Sequence, residues 1–377
     1  MNSRSLPADC ELGPDVELDV DELEIAPGCR IGLSGADGFR TPPGVRIKAR
    51  RLVMGAGVQI GASVRIEGGE IRLDEGVRIL RHSTIRVLDE LHIGAHGTVG
   101  EHCEISGRHV RIGQELWMLP GAKIGGGSAF EVHSRLDAGH YLHLGVDTLL
   151  NTARPIEIGH EVGLGTRTSL YTHGAYPSRL QGFPVAFDGI QIGDFSWLPG
   201  AVVNPGVRIG RNCVIGVNSL VTSDIPDGAL AAGSPAKVIR ESSYPRPLTG
   251  TRLLQFYASF LEHYAGLLGT ETAADVDEEA GLAAVSAGGA RYLAALDPQR
   301  VEAASGERLF ILADGALALP GRHGLTLLDP AARYLAGTAD AASERLTNEL
   351  RRYGIRFYSR PRDGSYVNWE ASPPSFA

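Results

Sequence analysis

Histidine and cysteine have the widest chemical range of the side chains in this sequence of 377 residues, which holds 12 His and 4 Cys. The cysteines, Cys10, Cys29, Cys103 and Cys213, lie far apart with no paired spacing. They read as free thiols of a reducing compartment, hence a cytoplasmic protein, and not as a disulfide frame or a zinc site. His133, His140 and His143 stand close enough in sequence to be weighed as a metal set, because catalytic zinc takes three such ligands and leaves a fourth position open. Charge is unevenly placed. Residues 9 to 24 carry eight acids and no Lys or Arg, which reads as a solvated or disordered segment, or as a cap over an open sheet edge. A net charge of -8 argues against nucleic-acid binding driven by overall charge.

The elements that must position these groups announce themselves through glycine. Of 49 Gly, 36 precede residue 245 and 13 follow it, so two differently built parts are expected. In the first part aliphatic residues recur every six positions: Met54, Ile60, Ile66; Ile93, Val99, Ile105; Ile112, Met118, Ile124; Ile158, Leu164, Leu170; Val203, Ile209, Ile215, Val221. A helix would show i, i+3, i+4, i+7, and a half-buried strand would alternate. A coil of three short strands and three corners does give a period of six. Its corners favour Gly, Asn and Asp, which tolerate positive φ. Met54, Leu73, Ile93 and Ile112 add a longer period, with spacings of 19, 20 and 19, so each coil stacks on the next and none buries its aliphatics alone. The rhythm breaks at residues 125 to 143 and again after Leu170, where a loop from about Tyr176 to Gln191 is expected. Such insertions are extruded on one side, often the binding side.

The stretches LLNTARPIEIGHEVGLGTRTSLYTH (149 to 173), IQIGDFSWLPGAVVNPGVRIGRNCVIGVNSLVTSDIP (190 to 226) and AAGSPAKVIR (231 to 240) resemble the hexapeptide-repeat acyltransferases, in particular the branch that O-acetylates sugars and polysaccharides. That resemblance implies a left-handed parallel β-helix, a trimer, and acyl transfer from acetyl-coenzyme A or another acyl-coenzyme A to a hydroxyl. It implies His173 as the general base, acting directly on an alcohol that is a poor nucleophile until its proton is taken. It implies Asn151 as an acceptor-binding or orienting amide and Trp197 as a flat wall beside the histidine. The same resemblance implies that Gly200, Val217 and Asn218 line the pantetheine channel and that Lys237 and Arg240 stand at its cationic, phosphate-binding end. The segment GVNSLVTS departs from the family's usual GAGSVVTK at Val217 and Ser223. No metal is implied. The acceptor expected from the resemblance is a saccharide or a glycosylated or hydroxylated small molecule.

The expected organisation is an acidic segment or cap (1–30), a β-helix (31–244), a linker and helix (245–269) and a small α+β domain (270–377). Leu253 to Leu268 carries apolar residues at helical spacing, and Thr338 to Tyr353 reads as a second helix stopped by Gly354. Arg291 to Leu296, Leu309 to Ala313 and Ile355 to Tyr358 read as strands, and 270 to 289 as loop or helix. No stretch approaches 18 consecutive apolar residues, so no membrane span is expected, and Met1 to Glu24 lacks the pattern of a secretory signal. Two other readings are kept: a non-catalytic scaffold or binding module on the same solenoid, and a zinc hydratase similar to γ-class carbonic anhydrase, whose ligands would be His133, His140 and His143.

Overall fold

A computed structural model of the chain describes residues 7, 9–13, 15–33, 44–301, 308–319, 324–331, 333–338 and 340–357. Two compact units are present, Met1–Pro245 and Arg246–Pro373.

The first unit is a three-walled parallel β-helix of the left-handed class. In its early coils one long strand makes two walls. Val45–Met54 buries Val45, Ile47 and Ala49, then shifts phase at Arg50–Arg51 to bury Leu52 and Met54. That phase shift is a corner turned without breaking the ladder. The third wall is a two-residue strand such as Gln59–Ile60. The hexad aliphatics all point inward: Met54, Ile60 and Ile66 are each at most 2% exposed. The longer period is the coil itself, because Met54 pairs with Leu73, Leu73 with Ile93 and Ile93 with Ile112. On the outer faces charge alternates down the stack. Asp19, Lys48, Glu67 and Arg86 are successive register partners, with Lys48 3.2 Å from Asp19 and Arg86 3.8 Å from Glu67. Exposed pairs of this kind add little stability each, but a one-rung slip would set like charges opposite one another.

The acidic segment is the first rung of this stack and not a separate cap. Val16–Ile25 runs parallel to Val45–Met54, and Glu17, Asp19 and Glu24 meet Arg46, Lys48 and Arg51. Its acids are solvated on the outer face while its alternate apolar residues pack on the solenoid core. The helix therefore begins before residue 31.

Glycine takes the expected positive φ at corners such as Gly57, Gly76 and Gly121, and it does a second task as well. Many positive-φ corner positions hold other residues, among them His82, His102, Glu115, Glu161 and Phe195. The glycines that follow an inward aliphatic instead permit close approach of the next coil. A Cβ on Gly94 would stand 2.6 Å from the carbonyl carbon of Gly113, and one on Gly193 2.7 Å from the amide nitrogen of Arg211. Corner conformation is imposed by the stack on whatever residue sits there, whereas backbone overlap is relieved only by lacking a Cβ.

From residue 125 onward the chain leaves the wall at the corner between the first and second walls. Lys123–Ile124 lies on the first wall and Arg135–Ala138 on the second, with residues 125–134 extruded between them. One coil later Leu149–Asn151 and Ile156–Ile158 are joined by a short corner. In the next coil Ser169–Tyr171 and Ile190–Ile192 are separated by a larger excursion. That excursion is a hairpin, because His173–Gly174 pairs antiparallel with Ala186–Phe187. It begins at His173, ahead of the expected start near Tyr176.

The second unit has its own core. Helix α1 (Thr251–Leu267) buries Leu254, Tyr257, Phe260, Leu261 and Tyr264, and helix α2 (Ala341–Arg352) buries Leu346 and Leu350 in the same cluster. Asp340 and Ser343 form a capping box, which starts α2 later than the Thr338 expected from spacing. A six-stranded sheet runs in chain order from Asp275–Asp277 to Tyr334–Gly337, with its middle strands Ala290–Ala295, Leu309–Leu312 and Leu325–Asp329 parallel. Residues 270–289, read as loop or helix, contain the strands Asp275–Asp277 and Leu282–Ala287. Alanine has high helix propensity, but Ala283, Val285 and Ala287 alternate inward against α1, and packing overrides propensity. Residues 355–357 are not a strand, and Tyr358 lies outside the described residues. No helix among the described residues is long and apolar enough to cross a membrane.

Gly94→Ala is expected to cost about 2–3 kcal/mol through overpacking between coils. Gly57→Ala, at φ 67 with nothing within 4 Å of its Cβ, is expected to cost about 1 kcal/mol of backbone strain alone. Urea titration followed by circular dichroism measures both, and an equal loss would remove the close-approach explanation.

Candidate functional site

The extruded corner gathers His173, Asn151 and a triglycine. Asn151 and Tyr171 are register partners on adjacent coils, so His173 projects from the hairpin base just above Asn151. The backbone N–H of Ala153 donates to Asn151 Oδ1 at 3.3 Å. A backbone amide can only donate, so the amide atom facing it is oxygen. The same Oδ1 lies 2.9 Å from His173 Nδ1, and Nδ1 must therefore carry the proton. The network thus assigns the tautomer of the neutral ring: in it, Nε2 carries the lone pair. Thr172 Oγ1 donates to the Asn151 carbonyl at 2.6 Å and fixes the strand beneath the pair. Asn151 is 6% exposed, shielded by the loop at 125–134. A Cβ on Gly126 would be 3.1 Å from Asn151 Nδ2, and one on Gly127 3.8 Å from His173 Nε2. Backbone therefore floors the recess in front of the lone pair. On the other side Phe187 stacks on the imidazole, with centroids 5.6 Å apart and planes at 16°. This arrangement can take a proton from a hydroxyl presented at Nε2.

A second feature lies at the opposite edge of the first wall. A cleft of 980 Å³ is lined by Thr166, Arg167, Trp197, Gly200, Val217 and Asn218 among others. These residues belong to successive coils, so the cleft runs along the stack. Four residues singled out in the sequence, Trp197, Gly200, Val217 and Asn218, meet here. Trp197 lies across Gly163, where a Cβ would overlap the indole, and its ring is 6.4 Å from that of His143. Lys237 and Arg240 do not line the cleft. They are exposed on the terminal hairpin Leu230–Gly233 and Ala236–Arg240, whose turn residue Ser234 does line it.

Trp197 is not beside His173 within one chain. Arg167 and His173 flank the strand Ser169–Tyr171, and six positions of extended chain span roughly 15–20 Å. The sequence reading also passed over Gly126, Gly127, Arg154, Arg167 and Phe187. The run Gly125–Gly127 at a break in the rhythm was a visible signal. Phe187 had none, because hairpin pairing decides that it faces His173.

No protein-family profile matches the chain. Over 134 residues it is 32% identical to the galactoside O-acetyltransferase of Escherichia coli, covering 34% of this chain and 63% of that relative. Over 89 residues it is 39% identical to the galactoside O-acetyltransferase of Lactococcus lactis, covering 23% of this chain and 43% of the relative. The matched part of the repeat unit is similar to acetyltransferases of the hexapeptide-repeat class. The chain spans about half the length of the curated relatives it matches. A solved maltose O-acetyltransferase from Clostridium difficile is 26% identical, covering 38% of this chain and 67% of that chain at a TM-score of 0.27.

Within this hexapeptide-repeat unit the three histidines weighed as zinc ligands stand apart. His133 is in the extruded loop, His140 in the corner between the second and third walls, and His143 on the third wall. His140 serves that corner instead. Its Nδ1 accepts the N–H of Gln114 at 2.9 Å, its own N–H goes to His160 Nδ1 at 2.9 Å, and the N–H of His160 goes to Asp194 Oδ1 at 2.7 Å. Each side chain thus accepts a backbone donor from the preceding coil, which requires both rings to be unprotonated at Nδ1. Burial, with the neighbouring His160 second, pushes the His140 pKa down to about 4. Burial lowers that of His160 as well.

Unfolded, His140 titrates near its ordinary 6.5. Below that pH the unfolded chain binds a proton that the folded one refuses until about pH 4. Stability is therefore full above pH 6.5 and falls between pH 6.5 and 4, by at most about 3 kcal/mol from this group, less whatever solvent screening its partly exposed ring receives. His140→Asn keeps an acceptor oxygen and removes the titration. Thermal melts at pH 7, 5.5 and 4.5 should show a shallower decline for the variant, and parallel declines would refute the assignment.

Proposed function

We propose that the chain is an O-acyltransferase that moves an acetyl group from acetyl-coenzyme A to a hydroxyl of a saccharide or of a glycosylated or hydroxylated small molecule. The observation that carries this reading is the Asn151–His173 pair, which leaves an Nε2 lone pair over a glycine floor in a repeat related to galactoside O-acetyltransferases. His173 Nε2 takes the acceptor hydroxyl proton as the oxygen attacks the thioester carbonyl. Asn151 stabilises the imidazolium by keeping its oxygen on Nδ1–H. The tetrahedral intermediate then expels the coenzyme A thiolate, and the proton held on Nε2 passes to the sulfur. No acyl-enzyme is formed, and none of the cysteines is required. The donor lies along the cleft against Trp197, Gly200, Val217 and Asn218, with Lys237 and Arg240 as cations for its phosphates. The width of the first wall separates that cleft from His173 in one chain. The complete site therefore joins the cleft of one copy to His173 of a neighbour, in a homotrimer.

A thiol-release assay with acetyl-coenzyme A and a panel that includes galactosides and maltose tests this, with products identified by mass. His173→Ala should lower transfer by about 1000-fold while sedimentation still reports the same oligomer. Transfer at the parental rate in that variant would overturn the mechanism.

A further inference from the structure

Two extruded segments enclose His173, and they come from coils that are not adjacent. The short corner of the intervening coil holds Arg154, whose groups reach both. Its Nη1 is 3.5 Å from Glu131 Oε2 in the loop at 125–134. Its guanidinium carbon lies 4.9 Å from the ring centroid of Phe187, the residue that stacks on His173. Nη1 also donates to the Ala153 carbonyl at 2.7 Å, which ties the fork to its own coil. The Arg154 backbone N–H donates at 3.0 Å to Thr172 Oγ1, the hydroxyl that in turn bonds the Asn151 carbonyl. The side chain is only 25% exposed, although its partner Glu131 is 51% exposed.

We infer that Arg154 is a positioning residue that clamps the two excursions around His173. A planar guanidinium can stack on an aromatic face and still donate in its own plane to a carboxylate and a carbonyl. That combination fits this corner: the face rests on Phe187 and the edge holds Glu131 and Ala153. Fixing Phe187 fixes the plane against which the imidazole stacks. Fixing Glu131 keeps the triglycine floor over Asn151 and Nε2. Small displacements of a base relative to its substrate cost rate far more than they cost binding. None of the residues that Arg154 touches lines the donor cleft, so Arg154 acts on turnover and on access to Nε2. The inference rests on His173 as the base only for its kinetic part.

Two measurements test it on the full chain. The first is the rate at which diethyl pyrocarbonate modifies His173, read by peptide mass mapping. It needs no substrate and reports access to the unprotonated ring. The second is kcat and KM with acetyl-coenzyme A and a galactoside. Arg154→Met should speed His173 modification several-fold, lower kcat about tenfold and leave KM for acetyl-coenzyme A within twofold. Arg154→Lys keeps a cation for Glu131 and should recover part of both effects. Glu131→Gln, on an exposed side chain, should raise His173 reactivity about twofold. It serves as the test if Arg154→Met fails to fold. Unchanged His173 reactivity in Arg154→Met, or in Glu131→Gln where Arg154→Met does not fold, would overturn the clamp. So would a fall in kcat matched by an equal change in KM for the donor. If the parental chain transfers no acetyl group, the acyltransferase reading fails while the reactivity ratio still decides the clamp.

Discussion

The coil-on-coil backbone ladder is the constraint on which the rest of the first unit depends. A single coil of two or three short strands buries almost nothing by itself. Its aliphatics, such as Ile60 and Val99, become fully enclosed only when parallel pairing sets the next coil directly on top. That pairing fixes the spacing along the axis, and the spacing explains the glycines. Where the chain turns after an inward aliphatic, the adjoining coil passes within 3 Å of where a Cβ would sit. The same ladder forces positive φ on histidine, glutamate, tyrosine and phenylalanine at other corners, a cost spread over the stack and offset by burial.

Regularity of this kind makes departures informative. The ladder is indifferent to what happens at a corner as long as the walls resume in register. Residues 125–134 and the hairpin from His173 to Phe187 both leave from one edge, and both return to the second wall in phase, at Leu136 and Ile190. The short corner between them is therefore enclosed on both sides. This is why Arg154 can reach both excursions and why Asn151, a polar residue on a wall, is almost completely buried. At the next corner, between the second and third walls, a uniform device serves instead: His140, His160 and Asp194 each accept one backbone donor from the preceding coil.

The second unit follows other rules. Its core is aromatic, with Tyr264 against Tyr292 and Tyr292 stacked on Phe310 at 4.7 Å. Its sheet mixes parallel and antiparallel pairs under two helices. Helical spacing made α1 and α2 legible, while the strand Leu282–Ala287 was not, because alanine at alternate positions signals nothing until a helix lies on it.

By itself, the sequence determined the repeat. A period of six with a superperiod near nineteen admits few backbones, and the inward aliphatics of the regular runs follow from it. It also marked His173, Asn151 and the cleft residues Trp197, Gly200, Val217 and Asn218 through their likeness to one family. Only the tertiary structure decided which of these meet. Residues 22 positions apart, His173 and Asn151, are joined by a hydrogen bond because they sit one coil apart on the same edge. Trp197 and His173, closer in the family's pattern, are held apart by the width of a wall. The tautomer of His173 is likewise a tertiary fact. It depends on a backbone N–H two residues beyond Asn151, and no pattern of residue types records which way an amide is turned.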